Sequence, residues 1–171
     1  MTAFLTPEQF VPTLPHGVSC AGVFFTDHAD RPLLVTSVRH PGEYQCPGGL
    51  LAPGEDPWRC ALRETAREIG FIPACLDDAP RLLLLSFTPP EPPWPWKIGV
   101  AFDGGRLTDR EIDRIALDPT DHSGHAVRSI EGWSAIVSPR RLRTLRASLT
   151  ARRTGRAEYL VSEPRIPGEN G

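Results

Sequence analysis

The chain has 171 residues, enough to bury one substantial core and too few for two full domains joined by a linker. Hydrophobic residues make up 40% and charged residues 23%, which excludes wholesale disorder and fibrous architectures. A formal charge of -2 gives no general attraction for nucleic acid, whose binding rests on clustered cations, so no nucleic-acid partner is expected.

The first 16 residues form an arm with Pro7, Pro12 and Pro15 and no hydrophobic period, and Phe4, Leu5 and Phe10 are expected to pack on the body. Residues 18–26 and 33–39 are rich in β-branched and aromatic side chains and flank the turn-forming Asp27-His-Ala-Asp-Arg-Pro32, so they read as a hairpin-linked strand pair. The Pro/Gly-dense run 41–57 is a shaped loop with room for a short strand at 44–46. Asp56 then caps a helix that opens on Pro57 and stops at Gly70. Residues 81–87 and 97–102 are strand candidates joined by a proline-stiffened connector that carries Trp94 and Trp96. A Thr108-x-x-Glu111 capping box starts a short helix over 108–116, residues 127–137 are read as partly extended, 139–153 as a helix and 157–161 as a last strand. Seven arginines between Arg140 and Arg156 are read as the solvated face of that last helix, His122 and His125 as loop residues, and 164–171 as a loose tail.

Together these elements describe an α/β domain over 17–163, a mixed sheet sandwiched by helices. The longest apolar run, Cys20 to Phe25, is far below the roughly 20 residues that cross a bilayer. The start Met1-Thr-Ala-Phe4 has no basic region followed by an apolar one, so a cytoplasmic location without membrane contact is expected. Four cysteines without zinc-type spacing are expected to stay reduced.

The segment with chemical content runs from Cys46-Pro47-Gly48 through Gly49 to Phe71. Its glycines let backbone approach a ligand closely, and Glu55 stands at the end of the loop just before the helix. Glu64 and Glu68 are one helical turn apart, so three carboxylates converge if the loop folds back over that face. Such an oxygen-rich set suits Mg²⁺ or Mn²⁺, and equally the same glutamates among Arg63 and Arg67 suit a salt-bridged exposed helix.

The segment resembles the Nudix box, G-x5-E-x7-R-E-U-x-E-E-x-G-U with U apolar: Gly49, Glu55, Arg63, Glu64, Glu68, Gly70 and Phe71 keep its spacing, with Thr65 at the first U. It departs at Arg67, where the pattern has the first of two glutamates. The resemblance implies a Nudix-type α/β/α sandwich with a mixed sheet and a loop–helix–loop that binds divalent metal against a diphosphate. By it, Glu64 and Glu68 are metal ligands, Glu55 is a further ligand or a partner of Arg63, Arg63 is an orienting cation, and Gly48 and Gly49 shape the phosphate-facing loop. Glu68 and Glu131 are candidate general bases. Trp94 and Trp96 either stack on a substrate base or fill a core or interface.

The function so implied is a Mg²⁺- or Mn²⁺-dependent hydrolase that cleaves a pyrophosphate linkage in a nucleoside diphosphate derivative such as an NTP, nucleotide sugar or dinucleotide. Its partner is a small nucleotide substrate, and a homodimer is left open. Arg67 sets a second reading beside it, a catalytically weak nucleotide-binding sensor or interaction domain. In the first, Arg67 binds substrate phosphate in place of an absent metal; in the second, it pairs with Glu64 or Glu68 and cripples the site.

Overall fold

Side-chain alternation along the first long strand builds two cores, one on each side of a sheet. The computed structural model describes residues 4–76 and 79–162; the expected tail at 164–171 lies outside them. The elements run α1 (Pro7–Phe10), β1 (Gly17–Thr26), β2 (Leu33–Ser37), β3 (Tyr44–Gln45), β4 (Gly48–Leu50), α2 (Pro57–Ile69) and β5 (Leu82–Thr88). They continue through β6 (Trp96–Arg106), α3 (Asp109–Asp113), β7 (His122–Val127), α4 (Ile130–Ser134), α5 (Pro139–Thr154) and β8 (Glu158–Val161). A five-stranded mixed sheet has the order β4-β1-β6-β5-β8, with β1/β6 and β5/β8 parallel, and a three-stranded antiparallel sheet has the order β3-β2-β7.

Ala21, Val23 and Phe25 of β1, with Leu33 and Val35 of β2, pack against Cys60, Ala61 and Ile69 of α2. Phe24 and Leu34 point the other way and join Leu83, Trp133, Leu145 and Ala151 under α4 and α5. The period of two along each strand thus feeds both cores and produces the α/β/α layering.

Four expectations change. β1 and β2 do not form a hairpin; they lie in different sheets and meet through one isolated bridge, Thr26–Pro32. Pro32 has no N–H to extend that ladder, and Asp27 folds the turn back on itself by accepting the N–H groups of Ala29 at 3.0 Å and Arg31 at 2.8 Å. Residues 127–137 are not simply extended, because Ser129 accepts the Gly132 N–H at 3.1 Å and starts α4, which carries the fully buried Trp133. The arm does not pack on the body: Phe4, Leu5 and Phe10 are 101%, 54% and 50% exposed, since the four-residue α1 has no buried position to offer them. Nor is the arginine run of α5 wholly solvated, for Arg152 is folded inward onto Phe24, Thr26 and Asp103. Among the described residues no helix is long and apolar enough to cross a membrane.

Trp133 ties the two sheets together, its indole N–H donating to the Pro32 carbonyl at 3.0 Å. Trp133→Ala is expected to lower unfolding free energy by about 3–5 kcal/mol, read from urea titration. A loss below about 1 kcal/mol would show that this core is not continuous across α4.

Candidate functional site

Short β4 lies antiparallel to β1, with Gly48 opposite Gly22 and Gly49 opposite Ala21, and the chain then turns into α2. Asp56 caps the helix by accepting the N–H groups of Trp58 at 2.9 Å and Arg59 at 3.1 Å, as its place in the sequence predicts. In the turn between, Glu55 accepts the Ala52 N–H at 2.9 Å and takes both arms of the Arg63 fork, Nε at 2.7 Å and Nη2 at 2.8 Å. Arg63 also donates to the Leu50 carbonyl at 3.2 Å, so one guanidinium staples the loop to the helix. Of the two roles open to Glu55, the partner of Arg63 is the one this geometry displays. The Arg63 bonds hold the Glu55 carboxyl down at about 2.

Glu64 and Glu68 turn into the protein and are 5% and 2% exposed. Gly49 makes this possible, because a Cβ there would stand 2.6 Å from the Glu64 carboxyl carbon. Glu68 accepts the Gly48 N–H at 2.9 Å, and its other oxygen is 2.9 Å from Nε2 of His122, out of line for a hydrogen bond. Burial pushes the Glu68 carboxyl up, against the Gly48 N–H, His122 and Arg67. His122 was expected in a loop; it is instead buried on β7, with Nδ1 donating to the Thr36 carbonyl at 3.1 Å. The β2–β7 register, which sets Ser37 beside His122, delivers it to the box. No spacing signal in the sequence marks that encounter.

Arg67 decides the character of the site. Its Nε lies 2.9 Å and its Nη2 2.5 Å from one oxygen of Glu64, Nη2 also reaches Glu68 at 3.2 Å, and Nη1 contacts Asp121. Asp121 in turn accepts from Arg39 at 3.0 Å. Burial works against the Arg67 charge, but the Glu64, Asp121 and Glu68 carboxylates outweigh it and raise its pKa. With Arg63 contacting the other Glu64 oxygen, Glu64 is flanked by two guanidinium groups.

This arrangement does not fit a divalent cation shared by Glu55, Glu64 and Glu68. Glu55 is committed to Arg63, and the guanidinium of Arg67 fills the space between Glu64 and Glu68. Among the described residues no three His, Cys, Asp or Glu side chains are grouped to hold a metal ion. The expected convergence of three carboxylates on one cation is therefore replaced by convergence on two arginines. The reason is the residue at 67, which brings its own positive charge one residue before Glu68 on the face that the carboxylates share.

The remaining candidates sit elsewhere. Glu131 is exposed in the first turn of α4 and feels the charge of Arg146. Trp94 is half-exposed with the Lys97 ammonium 3.9 Å above its ring. Trp96 stacks on Phe87 with ring centroids 6.4 Å apart, so its ring is occupied by the protein itself.

A sequence model of the NUDIX domain matches residues 16–147. The chain belongs to the Nudix family. Nudix hydrolases in general cleave nucleoside diphosphate derivatives and use divalent metals such as Mg²⁺. A search of curated proteins gives no match. Solved structures share the fold. A MutT protein from Methanosarcina mazei Go1 superposes with a TM-score of 0.63 at 16% identity, covering 81% of this chain and 96% of that one. A C. elegans Ap4A hydrolase binary complex gives 0.60 at 23%, covering 81% and 98%. The NUDIX domain of Shewanella oneidensis NrtR, complexed with ADP ribose, gives 0.63 at 14%, covering 85% and 98%.

The Glu55–Arg63 staple has a pH signature. Its carboxyl sits at about 2 instead of the ordinary 4.5, so the stability it supplies is complete above 4.5 and lost as pH falls toward 2. Glu55→Gln should be less stable than wild type at neutral pH, by a margin in urea titrations that shrinks across that window. A margin independent of pH would refute the staple.

Proposed function

We propose that this Nudix domain binds a nucleoside diphosphate derivative at the β4–α2 loop and that Arg67 serves as the resident cation for its phosphates. The observation that carries the reading is the guanidinium lodged between Glu64, Glu68 and Asp121: although paired with these carboxylates it is 40% exposed, and its Nη1 makes one contact, to Asp121, which leaves an N–H for a phosphate oxygen. A guanidinium offers a planar fork of donors that suits phosphate oxygens, and it stands on the helix face that packs against β4. Gly48 and Gly49 keep that wall low. The ADP ribose in the NrtR domain shows that a pyrophosphate-linked nucleotide is accommodated by a protein of this fold, which supports the ligand class.

On this reading the domain recognises its nucleotide without a metal and is slow at cleavage. The sensor alternative thus gains over the Mg²⁺- or Mn²⁺-dependent hydrolase. One observation keeps the hydrolase as the second reading: Asp121 adds a carboxylate beside Glu64 and Glu68, in partial return for the glutamate that position 67 lacks. In either reading Arg63 positions the loop through Glu55, and the Gly48 N–H holds Glu68 in place.

The test is a panel of ADP-ribose, a dinucleoside polyphosphate and an NTP, each assayed for thermal stabilisation and for product release, in EDTA and in Mg²⁺. Stabilisation in EDTA is expected for at least one ligand, and Arg67→Ala should weaken it by about tenfold or more. Arg67→Glu should abolish the EDTA-resistant stabilisation and raise Mg²⁺-dependent release. That release should disappear again when Glu68→Gln is added. Rapid wild-type turnover in Mg²⁺ with no stabilisation in EDTA would overturn the resident-cation reading in favour of the hydrolase.

A further inference from the structure

Away from the box, the far end of β1 and β6 and the last turns of α5 border an open cleft of about 760 Å³. Its construction begins with Gly105, whose φ of +74° and close approach to the Cys75 carbonyl, 2.9 Å from where a Cβ would be, admit only glycine. That turn folds onto the largely buried Asp103, which accepts the Gly105 N–H at 3.0 Å and an Arg152 Nη2–H at 2.5 Å. Arg152 is nearly buried and also donates to the Thr26 hydroxyl at 2.7 Å and the Phe24 carbonyl at 2.8 Å. Arg106 is held by Asp30 through two bonds of 3.0 Å.

Among the described residues four arginines and two aspartates therefore line the space, and these charges do not cancel. Asp103 answers Arg152 and Asp30 answers Arg106. Among the described residues Arg81 is left with only a 3.6 Å approach to Asp103 and a bond to the Arg152 carbonyl. Arg153 has no hydrogen-bond or ion-pair partner among the described residues. The buried Nε of Arg152 also lacks an acceptor there. Two surplus guanidinium groups over two neutralised ones suit a doubly charged anion with several acceptor oxygens.

We propose that this cleft binds a phosphate monoester, with Arg81 and Arg153 as its principal contacts. A monoester carries about -1.5 to -2 charge at neutral pH, which matches the surplus. The volume is within the range of small-molecule sites, roughly 300–1,000 Å³, so it has room for an organic group as well as the phosphate. Leu149 and Cys75 supply apolar wall for that group. The site shares no lining residue with the box, so it stands or falls independently of the function proposed there.

Amide-resolved NMR titration of the full chain with AMP and with inorganic phosphate tests it. Saturable shifts are expected at Gly105, Thr150 and Arg153, with AMP binding more tightly than inorganic phosphate. In the Arg81→Ala, Arg153→Ala double variant the dissociation constant should rise about tenfold or more, with the thermal midpoint little changed. Glu64→Gln should leave these shifts intact. Shifts confined to Gly48 and the box, or unaltered in the double variant, would overturn the site. Equal affinity for the two ligands would overturn the monoester assignment.

Discussion

Two carboxylates buried one helical turn apart cannot both remain ionised unless positive charge lies between them. The cost of burying an unpaired carboxylate is several kcal/mol, which is large against the net stability of a domain this size. In this protein the neutralising charge is supplied from within, by Arg63 on one side of Glu64 and by Arg67 between Glu64 and Glu68. The geometry of the box follows from that neutralisation. Glu55 fixes Arg63, Gly49 admits Glu64, and the Gly48 N–H fixes Glu68.

The fold serves this cluster by bringing distant segments to one helix face. β4 comes from the strand side of the box, while Asp121 and His122 arrive from the start of β7, in a different sheet. Position 67 is the point where these contributions meet. A change of one residue there alters the charge at the centre of the site by two units while leaving the scaffold in place. On the proposed reading, that one change keeps the loop–helix geometry of the family fold and shifts the site from metal-assisted chemistry toward binding.

The box and its helix were legible in the amino-acid sequence because their signals are local. The Asp56 cap, the Gly70 stop and the i, i+4 relation of Glu64 and Glu68 all act within a few residues, and the departure at Arg67 shows when the segment is set against the Nudix box it resembles. Asp121 and His122 were not legible, since only the β2–β7 register sets them beside residues more than fifty positions away. The same limit explains the misread hairpin: β1 prefers β6 as a parallel neighbour, a pairing with no local turn to announce it. Arg152 looked solvated for a similar reason, because its partners Phe24, Thr26 and Asp103 come from other strands.

The central claim, that Arg67 already fills the cation position, is tested most directly by electron paramagnetic resonance of Mn²⁺ added to the wild-type chain without nucleotide. The free-ion spectrum should persist undiminished at stoichiometric protein. Its disappearance with one ion taken up per chain would contradict the account.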